Sequence, residues 1–323
     1  MRPPPHGPER TRHNVDPYRA AADRLSPHIR RTPLLRVSVN GRPLAFKLEF
    51  VQVTGSFKIR GALNALLSRG AGRGSASHVV TASGGNHGLG VAVAARLLGV
   101  DATVYVPGPV PEVKARRIMA AGAEVIRFGA SFAEAELEAR HLATRDGLVY
   151  VHAYDDPAVV AGQATVGLEI VADMPECDVI AVPVGGGGLL AGVAAAVSPA
   201  GTSPASTGRF VVGVEPEGCP TLHEAASAGS PVDVQIDGQS VAASALGAAR
   251  AGRLALAAYQ SGSVRLAMVS DEQIIAARDR LWEEFRLATE PAAATVFAAW
   301  LSGQVPGDFP CLVLSGANAD WTP

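Results

Sequence analysis

From Leu44 onward, short runs of Val, Ile and Leu alternate with longer stretches whose apolar residues recur at helical spacing. The runs predict strands over 44–49, 78–82, 102–106, 124–128, 148–152, 179–184, 210–215, 264–269 and 311–315. Most of these runs are apolar throughout rather than alternating, which is the pattern of strands covered by helices on both faces, so the fold class is α/β with mainly parallel, open, twisted sheets. Helix starts are marked by Asp16-Pro17, by Ser270-Asp271-Glu272 and by Glu290-Pro291. The glycine-rich stretch from Arg69 to Ser75 separates a first segment from three consecutive strand-helix repeats. This predicts a small domain over 75–150, a large domain made of 15–70 plus 151–323, a cleft between them, and a flexible tail over 1–14. The Pro-, Ser- and Thr-rich stretch over 199–208 reads as a surface loop.

Composition removes several function classes. The chain has 323 residues, a formal net charge of −2 and 18% charged residues, with no basic run longer than an Arg-Arg pair. No stripe exists to track a phosphate backbone or an anionic membrane, so neither nucleic acid nor a membrane surface is an expected partner. The uncharged stretch over 179–203 is interrupted by glycines and prolines and reads as strand, loop and helix, not as a membrane span. The Pro-, Arg- and His-rich start has no apolar segment suited to a secretory signal. Cys177, Cys219 and Cys311 are odd in number and far apart, which points to a reducing cytoplasm rather than a disulfide framework.

One compositional feature narrows the chemistry. Of 28 basic residues only Lys47, Lys58 and Lys114 are lysines. Codon bias toward Arg accounts for the trend, and under it a retained lysine marks a place where a guanidinium cannot serve, above all where a neutral amine must attack a carbonyl. Lys58 stands in Thr54-Gly55-Ser56-Phe57-Lys58-Ile59-Arg60-Gly61, after a strand and at the start of a helical stretch, where the positive end of the helix dipole favours the neutral amine. Lys47 alternates with Glu49 along a strand and Lys114 shares a helix with Arg116 and Arg117, so solvated or salt-bridging roles serve for both.

Two loops offer backbone N–H groups at helix starts. Gly185-Gly186-Gly187-Gly188, followed by Leu189, suits a phosphate. Gly186, Gly188 and Ala191 also satisfy G-x-G-x-x-A with Glu215 ending the next strand, so a dinucleotide-binding protein, oxidoreductase or non-catalytic, is a rival reading of that loop. Ser83-Gly84-Gly85-Asn86-His87-Gly88 adds a hydroxyl, an amide and an imidazole to a second nest and suits a carboxylate. Ser315-Gly316-Ala317-Asn318 ends the last strand. Walker, nucleophile-elbow, S-x-x-K and H-E-x-x-H motifs do not occur.

Taken in order, these four segments resemble the signature segments of the fold type II pyridoxal-phosphate enzymes, with the serine/threonine dehydratase branch the best match, over nearly the whole chain from Thr32 to Asn318. The resemblance implies a tryptophan synthase β-like architecture and pyridoxal 5'-phosphate as cofactor. It implies that Lys58 holds the cofactor as a Schiff base, that Phe57 lies against the ring and that Asn86 contacts the ring hydroxyl. Gly185, Gly186, Gly187, Gly188 and Leu189 then bind the phosphate, and Ser315 faces the pyridine nitrogen. The loop Ser83, Gly84, Gly85, Asn86 and His87 grips the carboxylate of an amino-acid substrate. The implied reaction is β-elimination of water from an L-β-hydroxy amino acid such as threonine or serine, giving a 2-oxo acid and ammonia. A neutral hydroxyl at Ser315 keeps the ring a weak electron sink and so favours prompt loss of the leaving group. Racemisation on the same fold is the nearest alternative; the serine racemases carry a serine where this chain has Gly84, so it is disfavoured. A homodimer is the implied assembly. Relatives place a divalent cation at a strand-terminal Glu, a carbonyl four residues on and an Asp six residues on. Here these are Glu215, Cys219 and Thr221, a weakened set for which no metal is expected. With eight residues after Ser315, a C-terminal regulatory domain is not expected.

Overall fold

The computed structural model describes residues 16–72, 78–197 and 208–319. The tail expected over 1–14 and nearly all of the loop expected over 199–208 lie outside the described residues. The strands are β1 (Leu34–Val39), β2 (Arg42–Lys47), β3 (His78–Ala82), β4 (Asp101–Val106), β5 (Glu124–Arg127), β6 (Val149–Tyr150), β7 (Val179–Pro183), β8 (Phe210–Pro216), β9 (Val264–Val269) and β10 (Cys311–Val313). The helices are α1 (Pro17–Leu25), α2 (Lys58–Ser68), α3 (Asn86–Leu98), α4 (Glu112–Ala120), α5 (Phe132–Asp146), α6 (Pro157–Asp173), α7 (Gly188–Val197), α8 (Thr221–Ala228), α9 (Ala243–Leu246), α10 (Arg253–Gln260), α11 (Asp271–Phe285) and α12 (Pro291–Leu301).

Among the described residues the strands form a six-stranded sheet, in the order β1-β2-β10-β7-β8-β9, and a four-stranded sheet, in the order β5-β4-β3-β6. All pairs are parallel except β1 with β2, an antiparallel hairpin in which Leu34 faces Lys47 and Val39 faces Arg42. The hairpin turns at Asn40-Gly41, both at positive φ (51° and 74°), the backbone that an Asn-Gly pair adopts at least cost. The apolar runs are buried on both sides, as their pattern requires. From the large sheet, Phe46, Val212, Val214 and Leu312 pack against α11 and α12, while Ile180, Val182, Val211 and Val313 pack against α6 and α7. Capping follows the sequence signals: Asp16 accepts from the Tyr18 N–H at 2.9 Å, and Ser270 with Gln273 forms a reciprocal capping box.

Helix α2 has a special place. Ile59, Leu63 and Leu66 share a core with Val79, Val91 and Val104 of the small sheet and its helix α3. Its second residue after Lys58, Arg60, is buried and ties the helix to the other side. The Arg60 guanidinium donates to both Glu49 oxygens at 2.8 Å, to Glu169 at 2.7 and 3.0 Å and to the Thr165 hydroxyl at 3.1 Å. Lys47, also buried, donates to Glu169 at 2.5 Å and to the Thr32 carbonyl at 2.7 Å. The salt-bridging role open to Lys47 is therefore realised inside the protein, and the two carboxylates hold the Arg60 proton more tightly than usual against the cost of burial.

This network makes a direct prediction. Arg60→Leu leaves Glu49 and Glu169 short of a counter-charge in the interior, and urea unfolding is expected to show a loss of about 3–5 kcal/mol. A loss below about 1 kcal/mol would mean that the two acids relax to water and that the network does not fix α2.

Candidate active site

The four signature segments all follow the carboxyl ends of strands, the side of an open parallel sheet at which ligands bind. In the large sheet β2, β10 and β7 are neighbours, so the Lys58 segment, the Ser315 segment and the glycine loop emerge side by side. Backbone pairing locks the first two together: Phe57 N–H donates to the Ser315 carbonyl at 3.1 Å, and Ala317 N–H donates to that of Gly55 at 2.9 Å. In the small sheet β3 is internal, and its end launches Ser83 to Gly88 into the head of α3.

One pocket brings together Phe57, Lys58, Asn86, Gly185 to Leu189 and Ser315. A larger cavity of about 400 Å3 shares Lys58 and Asn86 with it and is also bordered by Ser83, Gly84, Gly85 and His87. The Lys58 ammonium donates to the Ala153 carbonyl at 3.0 Å and lies 5.2 Å from the centre of the Phe57 ring. Burial lowers its pKa to about 8, against an opposing pull from Glu290. A neutral amine is therefore accessible near physiological pH.

The glycine loop is narrow by packing. A Cβ on Gly186 would meet the Tyr154 ring at 2.3 Å, and one on Gly187, where φ is +87°, would meet the Ala255 Cβ at the same distance. The loop runs into the head of α7, where first-turn N–H groups have no partner within the helix, a donor set suited to a dianion. His87 is buried, with Nε2 donating to the Val151 carbonyl at 3.3 Å and Nδ1 without a partner among the described residues. Burial, followed by the charge on Lys58, drives its pKa down to about 3, so the imidazole is neutral and its Nδ1 has no proton to give. An anion in this loop is met by the backbone N–H groups of the α3 head instead.

Glu290 is the residue that sequence reasoning missed. In the sequence it reads only as the start of a helix, and it does precede α12, yet its side chain makes no cap bond. The carboxylate instead turns into the pocket and accepts from Asn86 Nδ2 at 2.8 Å. Asn318 Nδ2 donates to Asn86 Oδ1 at 2.8 Å and to the Thr54 carbonyl at 2.7 Å, so the Asn86 amide is fixed in one orientation. Burial raises the Glu290 pKa to about 7. A Glu at N-cap, where Ser, Thr, Asp or Asn are the usual choices, was the one available signal that this side chain is engaged elsewhere.

Glu215, put forward both as a weak metal ligand and as a ribose-binding acid, is fully buried and already satisfied. It accepts from Leu222 N–H at 2.6 Å, His223 N–H at 2.9 Å and His223 Nδ1 at 2.6 Å, anchoring the head of α8.

The family profile described as "Pyridoxal-phosphate dependent enzyme" matches residues 25–316. The chain belongs to that family. As such an enzyme it is 38% identical over 307 residues to the L-threonine ammonia-lyase of Geobacter sulfurreducens, covering 93% of this chain and 74% of that protein. Among solved structures, the threonine deaminase of T.th. superposes with a TM-score of 0.86 at 34% identity, covering 96% of this chain and 99% of that one. Maize serine racemase gives 0.85 at 30% identity over 95% and 94% of the two chains. The architecture is thus the fold type II one that the sequence implied. The residues present fit the cofactor: a depressed-pKa amine for its aldehyde, a ring face at Phe57, a tight amide nest for its phosphate and a neutral hydroxyl at Ser315.

Three outcomes check this site. Because the Lys58 pKa is lowered, the neutral amine dominates above pH 8. Uptake of pyridoxal phosphate by apoprotein should therefore rise with pH with its midpoint near pH 8, where an ordinary lysine would have its midpoint at about 10.4. Borohydride reduction and peptide mapping should place the label on Lys58, and Lys58→Ala should abolish it with the fold intact; a label on Lys47 or Lys114 would contradict the assignment. Since Glu215 is satisfied by protein donors, chelator should leave activity essentially unchanged, and a tenfold loss restored by magnesium or calcium would show otherwise.

Proposed function

We propose that this enzyme eliminates water from an L-β-hydroxy amino acid, threonine, serine or a relative, giving a 2-oxo acid and ammonia. Lys58, Phe57, Asn86, Gly185 to Leu189 and Ser315 hold the cofactor, and Ser83 to His87 receive the substrate carboxylate. The bound cofactor supplies an electron sink for the pair released when the Cα–H bond breaks. Lys58 would be the base that takes the Cα proton, and its depressed pKa suits that task. Asn86, held by Glu290 and Asn318, has one further N–H to give to the ring hydroxyl. Ser315, at the pocket, offers a hydroxyl and no negative charge, so a cofactor ring held there would be a weak electron sink, which suits prompt loss of a β-hydroxyl. The same reading divides the chain into a small unit over 75–150 and a large unit over 15–70 plus 151–323, and takes the protein as a cytoplasmic homodimer. The three free, buried cysteines fit a reducing compartment, and among the described residues no helix is long and apolar enough to cross a membrane.

The observation that favours elimination over racemisation is Gly84. A racemase needs an acid-base group opposite Lys58, to return a proton to the other face. Gly84 carries none, and a Cβ there would meet the Val110 side chain at 2.3 Å, so that position has no room for one as packed. Incubation of the loaded enzyme with L-serine and L-threonine, followed by 2-oxo acid assay and chiral chromatography, should give oxo acid with no appreciable D-isomer. D-product forming as fast as oxo acid would overturn the reading.

A further inference from the structure

The third lysine is not on a solvated face. Lys114, in the first turn of α4, is half-buried and borders two spaces: the main cavity in front of the Ser83 to His87 loop, and a small recess bounded by Gly84, Gly85, Asn86 and Glu290. Its helix neighbour Arg116 is paired with Glu112 at 3.2 Å. The Lys114 ammonium, by contrast, makes no hydrogen bond or ion pair among the described residues. Glu290 senses its charge, yet that carboxylate is bonded to Asn86 and the two form no ion pair. The lining of the main cavity contains no Asp or Glu. A partly desolvated cation thus faces a substrate cavity that holds no counter-charge, an arrangement that favours an incoming anion.

The substrate's groups can be assigned by elimination, on the proposed reading of the site. The α-amine goes to the cofactor, the α-carboxylate to the amides at the head of α3, and the β-hydroxyl leaves. Only the β-substituent remains for Lys114. The hydrogen of serine and the methyl of threonine have no use for an ammonium, and a cavity of about 400 Å3 has room for more than either. We infer that the preferred substrate is a β-hydroxy amino acid carrying a second carboxylate on Cβ, the 3-hydroxyaspartate type, with Lys114 binding that distal carboxylate. The reaction balances without oxidant or reductant. The Cα–H and Cβ–O bonds break and water leaves, and the resulting enamine tautomerises and is hydrolysed to oxaloacetate and ammonia.

The inference rests on the proposed function, so its test has a binding arm and a turnover arm. L-Aspartate and L-asparagine are nearly isosteric, lack a β-hydroxyl and differ in one charge. Calorimetric titration of the pyridoxal-phosphate-loaded enzyme should give at least tenfold tighter binding of aspartate, with Lys114→Met removing the preference and Lys114→Arg keeping part of it. In turnover, kcat/KM for 3-hydroxyaspartate should equal or exceed that for L-threonine, and Lys114→Met should lower that ratio at least tenfold, mainly through KM. Equal binding of aspartate and asparagine, or a preference that survives Lys114→Met, overturns the inference. If no β-hydroxy amino acid is turned over at all, the lyase reading fails while the aspartate-to-asparagine ratio still decides the role of Lys114.

Discussion

The position of the Lys58 amine depends on a buried ion cluster two residues away. Arg60 cannot leave the carboxylates of Glu49 and Glu169 without stranding charge in the interior, so the first turn of α2 is held where the cluster puts it. Lys58 sits one side of that turn, against the Ala153 carbonyl and near the Phe57 ring. Its lowered pKa needs a place with little water, and the apolar residues of α2 supply it by packing into the core of the small sheet. A structural salt bridge and the amine proposed as catalytic are thus two outputs of one helix.

Parallel sheet topology does the remaining assembly. Neighbouring strands β2, β10 and β7 deliver three loops to the same edge, and β3 delivers the fourth from the other sheet. The amides of Asn86 and Asn318 and the carboxylate of Glu290 then join segments more than two hundred residues apart in sequence. With Glu290 raised to about 7, that joint changes its charge near neutrality, so the hydrogen bonds that orient Asn86 are sensitive to the same pH range as the Lys58 amine.

Much of this was legible in the sequence because its cause is local. Uninterrupted apolar runs gave the buried strands, and glycine-rich turns before helices marked the two nests. The hairpin of β1 escaped because Leu34 to Val39 mixes polar and apolar residues at a half-exposed edge, although Asn40-Gly41 announced the turn. Glu290 and Lys114 escaped for a different reason. Each looks ordinary on its own helix, and its importance comes from what a distant segment places opposite it. The Lys47 pair is a further case, since strand alternation told only that Lys47 and Glu49 share a face, not that the face is buried.

The scarcity of lysine has a consequence for the whole surface. An aldehyde cofactor condenses with any accessible amine, and a lysine-rich protein offers it many unproductive partners. Here the side-chain amines number three. One is sealed in an ion pair, one is the amine proposed to hold the cofactor and one borders the main cavity. The exterior is covered in guanidinium groups, which keep solubility and charge without competing for the aldehyde. Chemical selectivity for the cofactor is therefore written into amino-acid usage across the entire chain, as well as into the shape of one pocket.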